Sequence, residues 1–262
     1  MRKKKKGRRY LFIVLFVGGI LSFITQSGLA QTPAEPGFEY AKHQIDSLTS
    51  NRLQQSFTDL SPDVQYKICQ AFFIKSFNPG NTEQEKKILL EKCLQLIGSL
   101  KPDSSSESLN ELSLKAMLQQ LGFLNLEERS LNTDILKREL ENKIQNYPLN
   151  AEIYATYGEL LLKYSEFSLF EQMLCRYFYT PLPQENLNEK ALLHLLKAKT
   201  IEPTPYIYYF LAVAYFRLGN HRDAFLSIKS ALSFKPKTPY IDAYYQALAK
   251  KLKQKHLPKT HE

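Results

Sequence analysis

A chain of 262 residues with 44% apolar and 12% aromatic side chains has ample material for a packed interior, which excludes a disordered chain. Its formal charge of +9 invites a nucleic-acid reading, but of 35 lysines and arginines seven (Arg2, Lys3, Lys4, Lys5, Lys6, Arg8, Arg9) precede Tyr10, leaving 28 against 26 acidic residues. So nearly balanced a body lacks the electrostatic footprint of a nucleic-acid binder, and none is expected as a partner.

The basic start, the apolar run from Leu11 to Ile24 and the small residues Gly28 and Ala30 have the order of a secretory signal, with cleavage after Ala30. Stretched over Tyr10 to Ala30, the same segment reads as an uncleaved membrane anchor. Both readings place the body outside the cytoplasm. Residues 31–37 (QTPAEPG) carry two prolines and no hydrophobic period and read as a tether.

From Phe38 the apolar residues recur at helical spacing and no strand-like alternation of comparable length occurs, so the fold class is all-α. Phe38, Ala41, Ile45 and Leu48 predict one helix, and Val64, Ile68 and Phe72 a second after Ser61-Pro62. Leu89, Cys93 and Ile97 mark a third, opened by a capping box at Thr82 and Glu85. An N-terminal helical region is thus expected over 38–100, a serine-rich linker over 101–108 and a second capping box at Ser108 and Glu111. Beyond the run to Leu121, a helix is expected from Thr133 to Asn146 with Ile135, Leu136, Leu140 and Ile144 on one side. The three cysteines Cys69, Cys93 and Cys175 show no C-x-x-C spacing, which leaves out a zinc ribbon or thioredoxin-type motif. Cys69 and Cys93 lie on facing helices about one turn apart, roughly 5 Å, so a disulfide and two buried free thiols both remain open.

The second half repeats itself. Ala191, Leu195, Ala198 and Pro203 are matched 33 residues later by Ala224, Ile228, Ala231 and Pro236. Tyr208, Leu211, Ala212 and Tyr215 precede the second set, and Gly219 stands between. Antiparallel helices approach closely only where both present small side chains, which Ala212, Ala224 and Ala231 supply. Tyr208, Leu211, Tyr215 and Ile228 fill the surrounding space, Gly219 ends one helix and Pro236 blocks extension of the next.

Thr204 to Lys237 resembles a tetratricopeptide repeat: Y-x2-L-A-x2-Y, A-x3-I and Pro stand where that family has W-x2-L-G-x2-Y, A-x3-F and Pro. Partial repeats occur at 148–164, with Tyr154, Tyr157, Gly158 and Leu161, and at 188–203; an inserted segment containing SLFEQMLCRYF separates them. The resemblance implies helical hairpins stacked as a short right-handed superhelix over 109–254, closed by a helix from Tyr240 to Lys253 with Tyr244, Ala247 and Leu248 inward, before a basic tail at 255–262. It also places Tyr206, Tyr209, Val213, Phe216 and Arg217 along a concave protein-binding groove, residue types common in binding hot spots. Tyr209 and Val213 stand where carboxylate-clamping members of the family it resembles carry Lys and Asn, so a clamp of that kind is not expected.

The tripeptide His221-Arg222-Asp223 matches a kinase catalytic loop, but Ile228 stands where the required Asn belongs, and no glycine-rich phosphate loop or D-F-G occurs. It reads as the first turn of a helix capped by Asn220. His43, His194, His221, His256 and His261 are scattered without metal-ligand spacing, and no cofactor motif is found. The reading is an exported, envelope-associated scaffold that binds a protein or peptide rather than an enzyme. One alternative is a structural subunit of a membrane-anchored assembly; another is an enzyme of unrecognised type built around Glu171 or Arg176 in the inserted segment.

Overall fold

The computed structural model describes residues 60–78, 80–100, 107–179, 186–235 and 239–257, with side chains in the last stretch from Ile241 onward. The basic leader, Ala30, the tether, the helix expected at Phe38–Leu48, most of the serine-rich linker and Pro236 lie outside them. Among the described residues the secondary structure is helical throughout, with no strand. The elements are α1 (Pro62–Ser76), α2 (Glu83–Gly98), α3 (Glu107–Gln120), α4 (Leu126–Asn146), α5 (Ala151–Tyr164), α6 (Leu169–Phe178), α7 (Leu187–Ile201), α8 (Pro205–Arg217), α9 (His221–Ser233) and α10 (Pro239–His256).

Helix starts are fixed locally. From α4 to α9 each opens after Asn125, Asn150, Ser168, Asn186, Thr204 or Asn220, whose side-chain oxygen accepts a backbone N–H of the first turn. Thr82–Glu85 forms the expected capping box of α2, and Ser168–Glu171 forms a second at α6. Two starts differ from expectation. Ser108 lies inside α3, which has begun by Glu107, and α4 begins at Leu126 rather than Thr133 because Asn125 caps it. In the longer α4, Leu136 and Leu140 are buried while Ile135 faces outward.

The helices pair as hairpins. α1 packs on α2, α8 on α9, and α5 on α7 across the inserted α6, which rests on α4. Close crossings need small side chains. Ala191, Ala198, Ala212, Ala224 and Ala231 are all fully buried, together with Leu195, Leu211 and Ile228, while Tyr208 and Tyr215 are partly buried beside them. The α8–α9 turn closes as a Schellman motif: Gly219 adopts φ +75°, and the Asn220 N–H bonds the Tyr215 carbonyl at 2.9 Å.

α5 is the central helix, buried on almost every side between α3, α4, α7 and α8. α5, α8 and α10 form one layer, with α7 and α9 behind them. The front of that layer is covered by the N-terminal helices: Phe73 and Phe77 of the first hairpin share a hydrophobic cluster with Tyr206, Tyr209, Phe210 and Tyr245. The inward face of α10 is Asp242, Tyr245 and Ala249, with Tyr244 and Leu248 partly buried; Ala247, expected inside, is exposed. Burying Tyr245 among the aromatic rings of α8 sets that rotation. Cys69, Cys93 and Cys175 are buried free thiols, with the Cys93 thiol donating to the Cys69 carbonyl at 3.3 Å.

Candidate functional site

The residues expected to line an open groove on α8 are engaged within the chain. Tyr206 packs edge-on against Tyr245 at 4.8 Å between ring centroids, and its hydroxyl donates to Glu159 Oε2 at 2.7 Å. Tyr209 packs on Phe210 and Tyr245, and Val213 contacts the central core. Phe216 stacks on His256 at 3.9 Å and meets Phe225 edge-on at 5.4 Å. Arg217 reaches back to the end of α5, donating to the Leu162 carbonyl and Ser165 Oγ at 2.6 Å each and pairing with Glu166 at 2.5 Å. An accessible aromatic groove is therefore not what these side chains form. The layer they belong to is already covered by α1, α2 and α3, because leaving so many rings in water costs more than bringing the N-terminal helices across.

His221, Arg222 and Asp223 occupy the first turn of α9, where Asn220 Oδ1 accepts the Asp223 N–H at 3.2 Å. The tripeptide is a helix start. Glu171 and Arg176 do not converge: Glu171 pairs with Arg129 at 2.5 Å, while Arg176 is exposed. Two hydrogen bonds from Ser168, the backbone one first, hold the Glu171 carboxyl below its ordinary range, and Arg129 adds to them.

What the helices bring together instead is a polar centre around Glu159. Its carboxylate, almost fully buried on α5, takes hydrogen bonds from Tyr206 and from Gln119 Nε2 at 3.0 Å, with Lys163 Nζ 3.6 Å away. Such a burial is stable only because each oxygen has a donor and a cation stands near. Burial, and then the nearby Glu159 charge, push the Tyr206 and Tyr245 hydroxyls well above the ordinary tyrosine value, so both stay protonated. Tyr209, buried beside Tyr244, is pushed up to about 12.

Two cavities adjoin this centre. One of about 50 Å³ lies over Glu159, Thr156 and Tyr206 and is walled by Phe73, Phe77 and Tyr245. The other, about 230 Å³, opens where the ends of α1, α2, α3 and α5 meet α10, with Glu83, Lys86, Gln119, Lys163 and Tyr244 on its wall. Phe77 and Gln119 belong to both. The larger cavity presents two lysines over an aromatic floor, and Lys86 is paired with Glu83 at 2.9 Å. Among the described residues no three His, Cys, Asp or Glu side chains are grouped as metal ligands, and no helix is long and apolar enough to cross a membrane.

Spacing alone missed this centre. Its one signal was Glu159 itself, an acid inside the otherwise apolar turn of AEIYATYGELLLKY. An acid at such a position has to be met by partners from other helices.

Residues 37–257 match the family described as Regulator of microtubule dynamics protein 1-3. The chain belongs to that family. The match takes in every helix from α1 to α10, so the hairpin stack and the Glu159 centre both fall within the family's span. No curated protein matches the chain.

Proposed function

We propose that this member of the Regulator of microtubule dynamics protein 1-3 family is a tetratricopeptide-like scaffold that holds a protein segment in the cleft between Lys86 and Lys163. The observation that carries the reading is the cleft itself. Four helices end around it against α10, its floor is aromatic, and its lysines reach it from α2 and α5. Such a mixture suits a peptide whose apolar side chain seats on Phe77 and Tyr244 while an acidic group displaces Glu83 or Glu159 from its lysine. The function is recognition, without a reaction. The tetratricopeptide reading is supported by the pairing of α5 with α7 and α8 with α9 through Gly158 and buried alanines. The body is exported and held at the envelope membrane by the segment Tyr10–Ala30, or freed from it by cleavage after Ala30; mass spectrometry of the mature N-terminus separates the two.

The test of the cleft compares partner recovery by the full chain and by a Lys86→Glu, Lys163→Gln double variant, at a temperature well below both thermal midpoints because loss of the cation beside Glu159 lowers stability. Loss of recovery supports the cleft, and unchanged recovery rejects it. The family description names microtubule dynamics, which gives a second reading that replaces export: the body stays on the cytoplasmic side and the bound partner is tubulin. Co-pelleting of the full chain with assembled microtubules, and its loss in the double variant, would establish that reading over a generic partner.

A further inference from the structure

The inserted helix α6 is inside out. Its sequence LFEQMLCRYF has a continuous apolar arc, yet Leu169, Phe170, Met173, Tyr177 and Phe178 are 82%, 65%, 56%, 72% and 73% exposed. What α6 turns inward is Cys175, fully buried, Glu171, drawn onto Arg129 of α4, and a partly buried Leu174. Arg129 also lies 4.0 Å over the Phe167 ring, so the chain entering α6 is pinned in the orientation that points the greasy arc outward. With side chains of roughly 150–250 Å² each, the five present on the order of 600 Å² of apolar surface, at or above the largest patch of an ordinary monomer.

We propose that this face of α6 docks on the surface of a lipid bilayer. Two observations choose lipid over a second copy of the chain. The only outward formal charge of α6 is Arg176, since Glu171, its other charged residue, is paired inward. A two-fold pairing of α6 with itself would bring two arginine-bearing faces together with no α6 carboxylate to answer them. At a bilayer the same arginine extends to lipid phosphate while the rings enter the acyl boundary, the arrangement of interfacial helices. The second observation is the apolar run Leu11–Ile24 behind seven basic residues, which brings the chain to a membrane. The stretch between Ile24 and α1 can span roughly 100 Å even with the helix expected at Phe38–Leu48 formed, ample reach for α6 to meet the same bilayer. The proposal rests on the membrane-anchor reading given above.

The chain has no tryptophan, so a single introduced indole reports its own site without background. Phe170→Trp is compared in the full chain with Leu226→Trp, on the exposed side of α9, after incorporation into vesicles of phosphatidylcholine with about one-third phosphatidylglycerol, with and without brominated acyl chains. The expected result is blue-shifted emission from the α6 indole, quenched roughly twofold or more by the brominated lipid, and an unquenched α9 indole. Adding Arg176→Glu to the Phe170→Trp chain should weaken the quenching. If the chain floats with the vesicles but the α6 indole is unquenched, docking is overturned while anchoring stands. A blue shift without quenching means that protein covers the face, which also overturns it. If the chain does not float with vesicles at all, the anchor reading and the docking fail together.

Discussion

Gly158 of α5 lies so close to Leu195 of α7 that a methyl group in place of its hydrogen would stand 2.6 Å from Leu195 Cγ and 3.3 Å from the Ala191 carbonyl oxygen. The contact lies on the seam of the α5–α7 hairpin, which the inserted α6 leaves intact. Gly158→Ala should cost about 1–2 kcal/mol in urea unfolding, since overpacking outweighs the gain in helix propensity. Gly98→Ala, in α2 with open space at that position, should be neutral or stabilising. Equal effects from the two would remove the close crossing as the reason for a glycine at 158.

Arg217 ties the end of α8 to the end of α5 through a carbonyl, a hydroxyl and a carboxylate. Arg217→Ala should lower stability by roughly 1.5–3 kcal/mol, the range for hydrogen bonds to a charged donor. Arg217→Lys should recover only part of this, because an ammonium lacks the fork that reaches all three acceptors. A loss within about 0.5 kcal/mol for the Ala variant would place Arg217 among ordinary surface residues.

Cys175 reports on the seating of α6. All three thiols are buried, so the native chain should react slowly with an aromatic disulfide reagent and the unfolded chain rapidly at all three. Arg129→Ala removes the pair with Glu171 and the contact over Phe167, and should make one thiol, Cys175, reactive while Cys69 and Cys93 stay protected. Simultaneous exposure of all three would mean that α6 does not detach independently of the remaining helices.

His194 of α7 lies against the rings of Tyr154 and Tyr157, and burial, with Lys190 nearby, lowers its pKa from 6.5 while Glu141 opposes the shift. The folded state therefore favours the neutral imidazole. Between the folded value and 6.5 the unfolded chain binds more protons, so this contribution is complete above about pH 6.5 and is lost as pH falls toward the folded value. Thermal midpoints should decline on acidification through that window, and His194→Phe, which keeps the ring contacts, should flatten this part of the decline.

The helices and their crossings were legible in the sequence because they are written in local terms. The Thr82–Glu85 capping box, the Asn220 cap, Gly219 at a helix end and alanines 33 residues apart each act over one or two turns, whereas the box expected at Ser108 did not form. What covers α8 was not legible. Tyr206 and Tyr209 have the spacing of groove residues, and their burial depends on Phe77 and Tyr245, which come from distant parts of the chain. The orientation of α6 was hidden for a related reason. The sequence marked it only as an inserted segment, and its outward apolar arc goes with the pairing of Glu171 with Arg129 on another helix, which spacing does not reveal. Asp242, Tyr245 and Ala249 rather than Ala247 face inward on α10 because the aromatic cluster, not the helix's own periodicity, sets its rotation.

The contact of Phe77 with Tyr244 and Tyr245, at 5.1 and 6.1 Å between ring centroids, joins the first described hairpin to the last helix. A chain emerging from the ribosome would pack one side of Phe77 on Phe73 and its own hairpin, but leave the side met by Tyr244 and Tyr245 uncovered until nearly everything else had been synthesised. Maturation is thereby gated by completion of translation, and a product stopped before α10 would display a sticky aromatic surface for chaperones and proteases to recognise.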